Sequence, residues 1–418
     1  SEVRCRNQTM SGEARQGLRE VVIVSAVRTP LCRARKGALA KVPPSTLLAA
    51  ALEGCLARQV GTHKVSAAQV EDVCVGHVLG PPSNAAGFRM AQLSAGFTVE
   101  SSLQVTNRQC SSGLQAVANI CNAIAVGSID IGIGAGVESM SSNPMHKIHP
   151  PDIDWDVMKS LPKETQAMDC LIPMGVTSEN VSKKFGLKRE TLDAFAAHSH
   201  HKASAAANAG KFQNEIVPVT IQTSEGTSIR INKDDGIRPQ TTVEILGKLK
   251  PVFSKKGSTT AGNSSQTTDG AAAILCMTRQ EAESRGLHIL AVWKGFAVAG
   301  VPPAFMGMGP AVAIPKLLKK QRVSTNEVDV WEINEAFASQ ASWCISELGI
   351  SPAKVNPNGG AIALGHALGC TGARMIATLV HEMDRTHEKY GVVSMCIGTG
   401  MGAAALLENP NSSIRSNL

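Results

Sequence analysis

Hydrophobic and polar positions switch between two periods along this chain, most clearly in SLQVTNRQCSSGLQAVANICNAIAVGSIDIGIGAGVE, residues 102–138. Leu114, Val117, Ala118, Cys121 and Ala125 recur at helical spacing. The flanks Leu103–Val105 and Ile129–Ile133 are short β-branched runs of the kind that fill a sheet covered on both faces. The pattern predicts strand, sharp turn, helix and strand, with Cys110 where a strand hands over to a helix N-terminus. Free N–H groups and the helix dipole favour negative charge there, so a thiolate is expected to form more easily than mid-helix.

The same reading runs along the rest of the chain. Val21–Ser25 is a buried strand, and Ser45–Gln59 a helix opened by Pro43 and Pro44 and capped by Ser45. Ser66–Leu79 passes from helix to strand, and Ala85–Ala95 is a further helix. After Met140 polar and charged residues become more frequent. Helices are expected over Ser178–Phe185 and Arg189–Ala209, with Pro144, Pro150, Pro151 and Pro162 in the connections. Residues 141–265 therefore read as an inserted lobe that covers a site, and AAAILC (271–276) returns to the first sheet.

From His288 the opening pattern recurs. VSTNEVDVWEINEAF (323–337) echoes VSAAQVEDVCVGHVL (65–79), and Val355–His366 with its following helix echoes the Cys110 unit. GVVSMCIGTGMGAAALLE (391–408) echoes the strand after it. Two pseudo-symmetric α/β halves, each covered by helices, follow from this repetition. The expected division is a disordered lead-in (1–19), a first half (20–140 plus 266–287), the lobe (141–265), a second half (288–408) and a flexible tail (409–418).

Composition narrows the function. The 418 residues allow two or three domains with a large core, and 18% charged residues argue against disorder over most of the chain. A net charge of +7 favours anionic ligands, but no nucleic-acid-reading motif accompanies it, so nucleic acid is not an expected partner. The 11 cysteines are scattered without a C-x-x-C pair, which argues against a zinc ribbon or disulfide framework and for a reducing compartment. No apolar run reaches transmembrane length, and the first twenty residues lack an apolar signal region. Ser416-Asn417-Leu418 resembles the Ser-Lys-Leu peroxisomal address with its central lysine changed.

Four places carry candidate chemistry: Cys110, His366 among glycines in VNPNGGAIALGHALG, Cys396 in MCIGTG, and Asn334 at the end of a buried strand. Gly398, Gly400 and Gly402 make a tight turn where backbone can approach a ligand. His198, His200 and His201 have poor spacing for a metal and read as surface, so no metal site is expected.

Together these places resemble the thiolases, most closely the 3-ketoacyl-CoA thiolases of the peroxisomal degradative type. The resemblance spans about residues 20–408 through NRQCSSGLQAV, GVESMS, DCLIPMGVTSEN, TTAGNSSQTTDGAAA, NEAFASQ, NPNGGAIALGHALGCTGAR and CIGTGMGAAA. It implies an α/β thiolase fold: two pseudo-symmetric βαβαβαββ halves in a layered αβαβα arrangement with an inserted loop domain. It implies that Cys110 is the acylated nucleophile and Cys396 the acid/base. His366 activates the nucleophile and lines an oxyanion site where Asn334 orients a water. The N–H groups of Cys110 and Gly398 meet the tetrahedral oxygen.

The chemistry accounts for these residue types. Cleaving a 3-ketoacyl-CoA between C2 and C3 expels a strongly basic acetyl-CoA enolate, and covalent catalysis divides that step. A thiol titrates close enough to working pH to protonate the enolate carbon and later deprotonate CoA.

CoA is implied as substrate, with no further cofactor. By resemblance Phe253, Ala261, Ser265 and Ala336 line the pantetheine tunnel, Arg238 reaches a phosphate, and Met174 and Phe337 are also substrate- or CoA-binding residues. Lys248, Lys250, Lys255 and Lys256 read as a solvated basic face nearby. Three departures and contrasts refine the picture. Ala367 replaces the usual proline of the Gly-His-Pro motif, which loosens the turn without removing a reacting group. Pro173-Met174 stands where biosynthetic acetoacetyl-CoA thiolases carry a histidine, and NEAF differs from the HDCF of sterol-carrier-linked thiolases. The rival readings are an acetoacetyl-CoA thiolase condensing two acetyl-CoA, and an inactive acyl-CoA-binding scaffold. A homodimer or homotetramer is implied, with the strand before Cys110 as dimer edge and residues 141–165 as tetramer contact. The expected location is the peroxisome, with the cytoplasm as the alternative.

Overall fold

Alternating and continuous apolar runs become strands of two linked sheets in the computed structural model, which describes residues 17–81, 83–145, 152–222 and 226–412. The first half comprises β1 (Val21–Arg28), β2 (Cys32–Arg33), α1 (Pro44–Ala57), β3 (Asp72–Gly76), α2 (Asn84–Ser94), β4 (Ser102–Thr106), α3 (Ser112–Ala125) and β5 (Ile131–Ser139). The lobe follows with α4 (Trp155–Ser160), α5 (Met174–Phe185), α6 (Arg189–Asn208), β6 (Val219–Gln222), β7 (Ser228–Ile231) and α7 (Val243–Gly247). The chain returns through β8 (Thr268–Thr278) and α8 (Arg279–Ser284). The second half holds β9 (Ala291–Gly300), α9 (Gly309–Gln321), β10 (Val330–Ile333), α10 (Ala338–Glu347), α11 (Ala361–Leu364), α12 (Leu368–Thr386), β11 (Tyr390–Ile397) and β12 (Met401–Glu408).

The repetition heard in the sequence is topological. One sheet runs β4-β3-β5-β8-β1 and the other β10-β11-β12-β9. In each the pairs at the outer edge are parallel, and the pairs toward the β1–β9 junction are antiparallel. A parallel bridge from Trp331 to Val355 stands where the first half has β4. Local chemistry repeats too: capping boxes Ser66/Gln69 and Ser324/Glu327 each close one 3-10 turn that feeds β3 and β10. A short pairing of Val22 with Val292 and Ile23 with Ala291 joins the sheets.

Helices α3 and α12 pack between the two sheets, while α1 covers the outer face of the first sheet and α9 that of the second. This gives the five layers of the expected thiolase fold. Backbone contact sets how closely the central helices approach. A Cβ on Gly113 would stand 2.6 Å from the Gly369 carbonyl oxygen, and one on Gly369 would meet the Gly76 carbonyl oxygen at 2.7 Å. Backbone atoms cannot turn aside as a flexible side chain can.

Several elements differ from the sequence expectation. Ser45 does not cap α1: the helix starts at Pro44 with Pro43 at the N-cap, because proline at the first position already holds a helical φ. β4 is not covered on both faces; it is an edge strand paired only with β3, and Val105 is 36% exposed. The lobe is not merely a cover, since Ala203, Ala206 and Phe212 join the central core. Arg28, fully buried on β1, reaches Glu215 at 2.6 Å and Asp234 at 2.7 Å and ties lobe to sheet. Arg19, expected in a disordered lead-in, pairs with Asp130, and Asn409, expected in the tail, is 1% exposed. The Ser416-Asn417-Leu418 address lies outside the described residues, as do Pro150 and Pro151. Among the described residues no helix is long and apolar enough to cross a membrane.

Gly369→Ala should cost about 1–3 kcal/mol by overpacking backbone, whereas Gly247→Ala, with open space around its Cβ position, should stay within about 0.5 kcal/mol. Urea unfolding of both variants checks this; equal stability would show that the helix crossing adjusts freely. Ala367 caps α12 at φ −80°, inside proline's range, and the preceding His366 is extended in a bridge to Thr267. Ala367→Pro should therefore stabilise the chain by about 0.4–1 kcal/mol in the same assay.

Candidate active site

Cys110 is presented by a constrained turn. Asn107 Oδ1 accepts the Gln109 N–H at 2.9 Å, Ser112 Oγ accepts the Arg108 N–H at 2.9 Å, and Gln109 takes a left-handed φ of 47°. Non-glycine residues adopt that region at a cost, which the surrounding hydrogen bonds sustain. The turn ends at Ser111, the N-cap of α3, so Cys110 does stand at a helix N-terminus.

Its charge state differs from the expectation. Burial is the largest influence and pushes the Cys110 thiol up, Glu138 pushes the same way, and the N–H groups of Gly398 and Cys110 itself pull it back. The residue is half-buried by surface area, but its side chain packs against two apolar clusters, and there desolvation outweighs the helix terminus. Cys110 rests as a thiol.

The second half supplies the partners. Cys396 is the next-to-last residue of β11 and fully buried; burial, then the nearby Cys110 and Cys344, raise its thiol well above the ordinary range. The turn after it brings Gly398 to Cys110. A Cβ added to Gly398 would find its nearest neighbours, Met174 Sδ at 3.6 Å and Gln109 at 3.9 Å, at ordinary contact distance.

His366 lies in the link between α11 and α12, 5% exposed, and burial with the charge of Arg374 lowers its pKa to about 3. It is a neutral imidazole at working pH. Asn334 leaves the end of β10, with its backbone N–H on the Ser394 carbonyl at 2.9 Å. Its Nδ2 is 3.4 Å from His366 Nε2, and its Oδ1 is buried with no hydrogen-bond partner. A buried polar atom of that kind suits a bound water or a substrate oxygen.

Other predicted residues gather beside these groups. Met174, at the start of α5, and Phe337 pack with Ala336, Met306 and Cys396 in one cluster. Ser265 donates its N–H to the Ala336 carbonyl at 3.0 Å, and the Phe253 ring occupies the space a Gly175 side chain would need. Arg238 is exposed, with Nη2 3.5 Å from Gln266 Oε1; the Gln266 carbonyl accepts the His366 N–H at 2.9 Å. Ala261 is exposed on the neighbouring turn. The lysines at 248, 250, 255 and 256 are exposed as expected. His200 is not a surface residue: it is 1% exposed, and its Nδ1 accepts the Arg238 N–H at 3.2 Å. Among the described residues no group of three His, Cys, Asp or Glu side chains could hold a metal ion.

Sequence reading missed Gln266, Glu138 and Thr371. Gln266 Nε2 meets the Gly236, Ile362 and Ala363 carbonyls at 3.0 Å each, stitching the Arg238 segment to the loop before His366. Glu138 accepts N–H groups from Val78, Leu79 and Gly369, the last at the start of α12. Thr371 meets His366 Nδ1 at 2.7 Å. All three lie inside motifs quoted from the sequence, but only the fold shows what their side chains touch.

Comparison with known proteins agrees with this arrangement. Residues 21–280 match the family model "Thiolase, N-terminal domain" and residues 287–409 match "Thiolase, C-terminal domain". The chain is 51% identical over 399 residues to 3-ketoacyl-CoA thiolase 2, peroxisomal, of Arabidopsis thaliana, covering 93% of this chain and 84% of that one. It is 50% identical over 412 residues to the peroxisomal 3-ketoacyl-CoA thiolase of Homo sapiens, covering 96% and 94%. The crystal structure of the dimeric peroxisomal thiolase of Saccharomyces cerevisiae superposes with a TM-score of 0.86 at 44% identity, covering 94% of this chain and 97% of that one. The human mitochondrial 3-ketoacyl-CoA thiolase in complex with CoA gives a TM-score of 0.81 at 35% identity, covering 95% and 100%. Five layers built from two similar halves, matched by family models over residues 21–280 and 287–409, belong with these relatives: the chain is a member of the thiolase family.

Proposed function

We propose that this chain is a 3-ketoacyl-CoA thiolase, an acyltransferase that cleaves 3-ketoacyl-CoA with CoA to acetyl-CoA and a shortened acyl-CoA. One observation carries the reading: the buried Cys396 thiol feels the charge of Cys110, and a Gly398 N–H is directed at Cys110. A binding scaffold would have no use for two thiols in electrostatic reach of each other.

The geometry supports a balanced cycle. His366 Nε2 takes the Cys110 proton, and the thiolate attacks the 3-keto carbon. The new oxyanion is met by the N–H groups of Cys110 and Gly398. The C2–C3 bond breaks with its electron pair on C2, leaving an acetyl-CoA enolate whose oxygen faces His366 and Asn334. Cys396 protonates C2 and becomes a thiolate. That thiolate takes the proton of incoming CoA, whose sulfur displaces the acyl group from Cys110, and His366 returns its proton. CoA serves as substrate, and every proton in this sequence has a protein carrier without a further cofactor. Met174, Ala336, Phe337, Phe253, Ala261 and Ser265 would line the approach, with Arg238 at its mouth for a phosphate.

The degradative reading is favoured over the acetoacetyl-CoA one by Met174 beside Cys396 and by the names of the relatives. Those relatives also support a peroxisomal location. The exposed edge β4 supports a homodimer, in which a second copy would extend the sheet. Exposed Met145, Trp155 and Val157 in the lobe are where two dimers would join as a tetramer.

Wild type should cleave both acetoacetyl-CoA and a long-chain 3-ketoacyl-CoA, and Cys110→Ala should cleave neither. Turnover confined to the four-carbon substrate would move the protein to the acetoacetyl class. Cys396→Ala should still acylate Cys110 but lose exchange of the acetyl-CoA α-proton into solvent; normal exchange would remove Cys396 from the acid/base role. The resting thiol predicts a pH dependence of its own. Alkylation of Cys110 by iodoacetamide should rise about tenfold per pH unit from pH 6 to 8.5, since only the thiolate reacts and the raised thiol stays protonated below its pKa. A plateau across that range would reveal a preformed thiolate and contradict the burial argument.

A further inference from the structure

We infer that Thr371 is a positioning residue that sets the tautomer of His366, so that Nε2 carries the free lone pair. The inference rests on His366 acting as the base for Cys110.

The distances bear on where one proton sits. Thr371 is 2% exposed in the first turn of α12, and its Oγ1 is 2.7 Å from His366 Nδ1 and 3.1 Å from the Ala367 carbonyl oxygen. A carbonyl only accepts, and a hydroxyl has one proton. With that proton on the Ala367 carbonyl, Oγ1 presents a lone pair to His366 and must receive Nδ1–H. The imidazole is neutral, so its other nitrogen is then unprotonated. Nε2 faces Asn334 Nδ2 at 3.4 Å, an amide donor that matches a lone pair. The reverse arrangement, with the Thr371 proton on Nδ1, would place a proton on Nε2 and leave it unable to accept from Cys110.

The fold makes this selection rigid. Ala367 caps α12, and its carbonyl also takes the N–H groups of Cys370 at 2.8 Å and Thr371 at 3.0 Å. His366 is anchored on its other side by its N–H on the Gln266 carbonyl at 2.9 Å. Ring and hydroxyl are thus held by the same turn of chain, four and five residues apart.

Single-turnover acylation of Cys110 by acetyl-CoA in the full-length protein tests the assignment. Thr371→Val keeps the shape but loses the acceptor, and should slow acylation on the order of 10²-fold, the scale of a general base. Thr371→Ser should restore the rate to within about threefold, since it keeps the hydroxyl. In the His366→Ala background Thr371→Val should add nothing, which a merely structural role would not give. On ¹⁵N-histidine-labelled protein, the His366 Nε2 resonance should be that of an unprotonated nitrogen in wild type and shift toward the protonated form in Thr371→Val. Wild-type acylation and an unmoved resonance in Thr371→Val, with His366→Ala inactive, would overturn the Thr371 assignment alone. Undiminished acylation in His366→Ala would instead overturn the base reading beneath it.

Discussion

Everything in the site depends on how closely α3 and α12 approach one another. Their crossing is a contact of backbone on backbone, with Gly113 against the Gly369 carbonyl and Gly372 against Leu114. Each helix has a candidate site residue at its N-terminal end: Cys110 precedes α3 and His366 precedes α12. Side chains at the crossing would hold the helices apart by roughly the extra one to two ångströms that glycine-free packing requires. The proposed transfer of a proton from Cys110 to His366 needs hydrogen-bond reach, which such a separation would break.

Glu138 strengthens the same constraint from below. Its buried carboxyl takes N–H groups from the loop after β3 and from Gly369, so strand, loop and helix share one acceptor. Burial raises the Cys110 thiol, and Glu138 adds to it. The site therefore combines a neutral imidazole with an uncharged thiol. In a desolvated pocket this avoids a standing ion pair.

The lobe adds a second level of control. Arg28 anchors it through Glu215 and Asp234, fully buried, and Gln266 links the Arg238 segment to the loop that carries His366. The exposed Arg238 segment and α11, which leads into His366, are thus joined by one side chain.

Periodicity and motif content determined much of this protein by themselves. The switch from strand to helix at Cys110 and the repeated halves were legible because they follow from residue type and local spacing, and the family was legible from its motifs. Capping boxes at Ser66 and Ser324 show why the repeat could be read: the same local chemistry yields the same turn twice. What only the tertiary structure decided concerns surroundings. The apolar run of β4 lies at an open edge, because edge or centre depends on which strands pair with it. His200 is buried because α6 packs into the core, although its neighbours His198 and His201 are exposed. Cys110 rests as a thiol and His366 as a neutral imidazole, because desolvation comes from residues distant in the chain and no spacing rule records it. Motifs named the candidate groups, and the packing around them set where each proton rests.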